Sequence, residues 1–285
     1  MRNFLRNASM ASVFCVLGHL QPSFAEETRI SFQPPPISQI SLSAIVSLDK
    51  AGEKKEASML YPANNAGTLL VGIFAHAMLS KSTQDSEKNK IQKRADMALE
   101  EYKPVTNTIR PQQLFQEAVE QLNTQHHLGI ELNVPTAPVQ VIGLSDQLEF
   151  QMTHDQRALI VQTTLKVHTQ HSNNAYTLQA ISKPLEESKF PAEYWKAEHG
   201  SNLKTQLATL VAQVLHMASR MQQLVEKETD IPQKTHRYFE GGKERMQRGQ
   251  LLAEECDYMT VKNLRGWIIH LPKKETSNDQ CKTHL

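Results

Sequence analysis

The stretch NLKTQLATLVAQVLHMASRMQQLV, residues 202–225, decides the reading of this chain. Leu203, Leu207, Leu210, Val211, Val214, Leu215, Ala218, Met221, Leu224 and Val225 recur at three- and four-residue steps, the spacing of one helical face. Gln206, Thr209, Gln213, Ser219, Gln222 and Gln223 fall largely on the other side. Burying about ten such side chains at ~1.5–3 kcal/mol each gives roughly 15–25 kcal/mol gross. That is an upper figure, before ordering entropy and residual burial in the unfolded chain are subtracted. The spacing therefore predicts a long amphipathic helix in search of a surface to cover.

The preceding residues supply that surface. Three strand-like segments occupy residues 139–150, bulged near Gly143, 158–169 and 176–181. The second is the clearest, with Leu159, Val161, Thr163, Leu165 and Val167 alternating with polar residues. Turns at residues 153–156 and 172–174 separate them, so they read as an antiparallel meander with one face free for the helix. Residues 184–200 read as a connection in which Tyr194 and Trp195 pack on the body.

Upstream, Pro111 suits the first turn of a helix through Leu114, Phe115, Ala118, Val119 and Leu122, with Gly129 as its stop. Ile91, Ala95, Ala98, Leu99 and Tyr102 form an earlier helical stripe that Pro104 is expected to end. Residues 40–48 and 56–61 read as an N-terminal hairpin, preceded by a stiff Pro34-Pro35-Pro36 spacer. Downstream, residues 235–240 and 243–252 flank Gly241-Gly242, a two-residue hairpin signal. Further strands follow at 258–262 and 266–271, with Trp267 as anchor. The expected fold is α+β: an antiparallel β-meander covered by long amphipathic helices, with an N-terminal β-hairpin and a small C-terminal β unit. Residues 40–231 form the main domain and 232–285 the C-terminal β unit with its polar tail, which can belong to the same domain.

The first 25 residues have the pattern of a secretory leader. Arg2 and Arg6 give a basic start, residues 8–20 a short apolar core, and Ser23-Phe24-Ala25 a cleavage site. Residues 26–39 then form the spacer. Arg2 and Arg6 account for two of the 31 basic residues, so the cleaved chain carries 29 against 30 acidic ones. That balance gives no signal for nucleic acid or another polyanion. Cys256 and Cys281 survive cleavage, and an even pair in an exported chain suggests one disulfide. Its loop of about 26 residues is worth roughly 3 kcal/mol on the chain-entropy account.

Signatures of chemistry are sparse. The chain has no dinucleotide glycine motif, phosphate loop, nucleophile elbow or zinc-protease helix. Ser201-Asn202-Leu203-Lys204 matches the Ser-x-x-Lys spacing of penicillin-binding proteins, but no companion motif follows, and a helix cap explains Ser201 or Asn202 better. His126-His127 and His168 with His171 are the metal-like pairs; residues three apart on a strand point to opposite faces. Glu100-Glu101, Glu186-Glu187 and Glu254-Glu255 read as solvated faces. No catalytic residue, cofactor or metal ligand is expected.

Residues 68–79 form an apolar run too short for a bilayer, which needs about 20 residues. A buried helix is the plain reading of this run; the sharper one is a helix that docks on a membrane or partner, with Leu69, Leu70, Ile73, Phe74, Tyr194 and Trp195 as the candidate interaction surface. Over residues 111–225 the order helix, antiparallel meander, long helix is similar in architecture to the small α/β domains of periplasmic accessory lipoproteins. The expectation is a periplasmic, non-catalytic protein that binds another envelope protein and no nucleic acid. A hydrolase of unrecognised type and a protein in peripheral contact with lipid are the alternatives.

Overall fold

The computed structural model describes residues 30–45, 92–93, 95–132, 140–144, 148–168, 173–221, 224 and 231–273. Its strands are β1 (Ile30–Gln33), β2 (Leu42–Ala44), β3 (Ile130–Leu132), β4 (Gln140–Leu144), β5 (Glu149–Met152), β6 (Leu159–His168), β7 (Asn173–Ile181), β8 (Gln233–Glu240), β9 (Lys243–Glu254), β10 (Tyr258–Asn263) and β11 (Ile268–Pro272). Its helices include α1 (Lys103–Thr106), entered from a 3-10 turn at Glu100–Tyr102, α2 (Pro111–His126) and α3 (Pro191–Ser219), and residues 92–93 and 95–97 are helical too. All eleven strands belong to one mixed sheet in the order β3-β1-β4-β6-β7-β11-β10-β9-β8, with β5 also on β6 and β2 outside β5. The fold is α+β, and α3 covers the sheet by packing on β6, β7 and α2.

The face read from residues 202–225 is the centre of the core. Leu203, Leu207, Leu210, Val211, Val214, Leu215 and Ala218 are all fully buried. Ala208 and Ala212, outside that face, are buried too, because α3 is covered on two sides, by the sheet and by α2. The helix also starts earlier than the periodicity shows. Pro191, at its first turn, opens a short rod that breaks at Ala197–Gly200. Glu198, His199 and Gly200 there have φ of 49°, 57° and 86°. A Cβ at Gly200 would lie 2.0 Å from Val105 Cγ1, so the break brings α3 against α1 where only glycine fits.

Several expectations need correction. The spacer at residues 26–39 contains β1, which sits between β3 and β4 and is parallel to both. Phe32 is completely buried, edge-on to Phe115 with ring centroids 5.8 Å apart. The prolines end this strand rather than stiffen a linker, because Ile30 and Phe32 precede them. β2 is only three residues long and pairs in parallel with β5; the other arm of the expected N-terminal hairpin, residues 56–61, lies outside the described residues. Pro104 stands at the start of α1, where its missing N–H costs nothing, and so opens a helix instead of ending one. The first meander strand is two: β4 and β5 both pair antiparallel with β6, but Leu144 to Glu149 spans the Leu165 to Gln162 side. Trp195 is core: it is 1% exposed, and its indole N–H donates to the Gln156 carbonyl at 2.7 Å. It therefore cannot serve as a docking surface.

The C-terminal strands are continuous with the sheet, since β11 pairs in parallel with β7 from Ile268 against Leu178. They also build a second, smaller core on the sheet face away from α3. Ile160, Ile181, Met259, Val261, Ile269 and Leu271 meet Tyr238 of β8 there, with Ile45, Leu251 and Trp267 at the rim. Tyr238 reaches that face because the β8–β9 hairpin folds back over it. The fold needs Gly249, whose Cβ would lie 2.3 Å from the Lys262 carbonyl oxygen, and the register shift between Thr260 and Val261 beside it.

Candidate protein-binding edge

The hairpin that closes the second core also ends the sheet. Among the described residues β8 pairs only with β9, in unbroken register from Gln233 against Gln250 to Glu240 against Lys243. The two-residue Gly241-Gly242 turn has Gly241 at φ 63°. Its tip is tethered: Asp155, in the β5–β6 turn, accepts the Gly242 N–H at Oδ2 over 2.6 Å. The same carboxylate accepts the Thr153 hydroxyl at 2.7 Å and the Arg157 N–H at 3.1 Å. The next residue, Gln156, has φ 58° and is held by Trp195 and by the Tyr102 hydroxyl, which donates to Oε1 at 2.7 Å.

In such a hairpin the residues flanking the turn exchange both backbone bonds, and the pattern alternates outward. Glu240, Tyr238, His236 and Lys234 thus turn their backbone groups to β9. Gln233, Thr235, Arg237 and Phe239 present theirs at the sheet edge. Paired residues share a face, so Tyr238 with Arg245 point inward while Thr235, Arg237, Met246 and Arg248 point outward and are exposed. Met246 is 70% exposed. Residues 233–250 carry five cations (Lys234, Arg237, Lys243, Arg245, Arg248) against Glu240 and Glu244, a surplus of three. Arg237 bonds Glu244 at 3.1 Å and Arg245 bonds Glu240 at 3.4 Å, whereas Lys234, Lys243 and Arg248 have no ion pair among the described residues. Glu240 also accepts the Tyr238 hydroxyl at 3.2 Å; burial, and then the Glu240 charge, raise that phenol's pKa.

The chemical candidates from the sequence fall apart in space. Lys204 is ion-paired with Glu117 of α2 at 2.5 Å, so it is engaged away from any Ser201 chemistry, and Asn202 donates to the Tyr194 carbonyl at 2.9 Å. His127 caps α2 in a left-handed conformation with φ 52°, its N–H bonded to the Asn123 carbonyl. His126 stacks on His216 at 3.8 Å. Burial first, then the neighbouring His126, Arg220 and His270 charges, lowers His216 to about 3. His270 is buried, shares a 3.1 Å hydrogen bond with Thr260 and stacks on Tyr258 at 4.5 Å; burial lowers it to about 4. Among the described residues no three potential ligands converge on a metal position. The acidic pairs form surface ion pairs: Glu100 with Lys103, Glu101 with Lys196, Glu186 with Lys189, Glu254 with Lys273 and Glu255 with Arg220.

One depression of about 570 Å³ lies beside β2 and β5, lined by Ser41, Ser43, Gln92, Asp96, Glu149 and Gln151 among others. Among the described residues its serines and carboxylates meet no histidine, and Asp96 is already bonded to the Ala44 N–H at 2.8 Å and to Gln92 at 2.9 Å. Leu69, Leu70, Ile73 and Phe74 lie outside the described residues, as do Cys281, His171, the side chain of His168 and residues 1–25, where a leader is expected. Cys256 stands in the exposed turn between β9 and β10. Tyr194 is half-buried beside Trp195, with the Lys189 ammonium 5.0 Å from its ring centre. The edge residues Thr235, Arg237, Met246 and Arg248 were not singled out from the sequence. The charge surplus of residues 233–250 was the available signal.

No protein-family model and no curated protein matches this chain. A solved structure titled "Crystal structure of uncharacterized protein" aligns over 68% of this chain and 92% of its own, with 9% identity and a TM-score of 0.29.

Proposed function

We propose that this is an exported cell-envelope protein that works by binding another protein, in the periplasm, after cleavage behind Ala25. The observation that carries the reading is the edge of β8: an eight-residue strand at the end of the sheet, held in place by a tethered turn and presenting exposed side chains. The leader pattern and the pair Cys256 and Cys281, which we assign to one disulfide, support export.

Osmotic-shock fractionation tests the compartment, and intact mass under non-reducing conditions tests cleavage and the bridge together. Crosslinking in cells before fractionation tests the partner. The reading expects a periplasmic chain beginning at Glu26, two hydrogens lighter than its reduced form, joined to a second protein. Recovery of the uncleaved chain in the cytoplasm would overturn it.

A further inference from the structure

We infer that the occupant of the β8 edge is an extended acidic segment of the partner, added to the sheet as a further strand. The inference rests on the protein-binding reading above and specifies its chemistry.

Sheet edges are normally closed by shortness, a bulge, an internal proline, or charge. β8 has eight residues, continuous register and no proline between Gln233 and Glu240. Among the described residues β8 pairs only with β9, so charge is the guard that remains, and charge selects rather than closes. Lys234 and Arg237 on β8 and Arg248 beside it on β9 repel a basic strand and attract an acidic one. They also oppose a second copy of this chain, because joining two β8 edges would set equal positive surpluses together.

From Gln233 to Phe239 the edge offers four residues' worth of outward backbone groups over about 20 Å, at roughly 3.4 Å per residue. That fits a strand of five to seven residues. Carboxylates on the outer face of such a strand would stand beside Arg237, with Arg248 of β9 on the same face, and its alternate apolar side chains would lie on the inner face. Backbone bonds supply the attachment and alternate side chains the selectivity.

The probe is a fluorescein-labelled heptapeptide alternating valine and glutamate, followed by anisotropy on the full mature chain at low salt. Its controls replace glutamate by lysine, or N-methylate the amides of one edge. The acidic peptide is expected to bind at least about tenfold more tightly than either control, and to weaken as salt shortens the screening length. Thr235→Pro removes an outward N–H while sparing the bonds to β9, and should cost about tenfold or more with an unchanged circular dichroism spectrum. Arg237→Glu with Arg248→Glu keeps the test open should that proline disturb the hairpin, and should reverse the preference toward the lysine peptide. Equal binding of all three peptides, no binding by the wild-type chain, or peptide-independent dimerisation through β8 would each overturn the inference. A partner crosslinked in cells without acidic-peptide binding leaves the proposed function standing and removes only this specification. Peptide binding by a chain that stays uncleaved in the cytoplasm does the reverse.

Discussion

Asp155 controls where the candidate edge sits, and removing its carboxylate should release the hairpin before it unfolds the protein. Its two oxygens accept three hydrogen bonds, from Thr153, Arg157 and Gly242, at 2.7, 3.1 and 2.6 Å. Bonds to a charged group contribute about 1.5–3 kcal/mol each when both partners are dry. Gly242 is exposed, so water replaces much of that bond, and the Thr153 hydroxyl keeps an alternative acceptor in the Ala158 carbonyl at 3.1 Å. The net loss for Asp155→Ala is therefore about 2–3 kcal/mol, or roughly 5–10 °C in melting temperature for a chain of this size. Asp155→Asn keeps one acceptor oxygen and should lose about half as much. Amide exchange gives the local readout: amides around the β8–β9 turn should exchange faster in Asp155→Ala, while those of α3 change only by the global amount. Unchanged exchange at the turn, with an unchanged melting temperature, would show that the tip is held by something other than this carboxylate.

Three further outcomes follow from particular contacts. Gly249→Ala places a methyl 2.3 Å from the Lys262 carbonyl oxygen and should destabilise by about 1–3 kcal/mol in urea unfolding, loosening the second core more than the first. Leu207→Ala, in the centre of the α3 face, should cost about 2–5 kcal/mol by the same measurement. Stability should fall as the pH drops from about 6.5 toward 4, because the unfolded chain then takes up protons that His270, lowered to about 4, and His216, lowered to about 3, refuse in the fold. Above the unfolded value both forms are neutral and the effect vanishes. The His270 part is on the order of 3 kcal/mol, and His270→Phe should flatten the acid limb of the unfolding midpoint.

The strongest periodicities translated directly into structure. The apolar spacing of residues 203–218 and of 114–122 is set by local helical geometry, and both helices lie where that spacing puts them. The two-residue turn at Gly241-Gly242 is equally local. What escaped was set by distant partners. β1 is four residues long and finds its place only through parallel pairing with β3 and β4, which leaves no mark on neighbouring residues. Trp195 looked available because the acceptor of its indole N–H, the carbonyl of Gln156, belongs to a left-handed turn 39 residues earlier. Gly249 did carry a signal, since a glycine inside a strand marks a close backbone approach. That approach folds the hairpin over the second core and leaves its Arg237, Met246 and Arg248 facing outward. Leu69, Leu70, Ile73 and Phe74 lie outside the described residues, within which the charged edge of β8 stands out.

Site-specific photocrosslinking in cells tests the central claim most directly. A photoreactive residue at Thr235, on the outward edge of β8, should yield a discrete adduct with another envelope protein. The same group at Gln113, on the exposed face of α2, should not. Equal adducts from both positions, or none from Thr235 in an exported chain, would contradict the assignment of β8 as the binding edge.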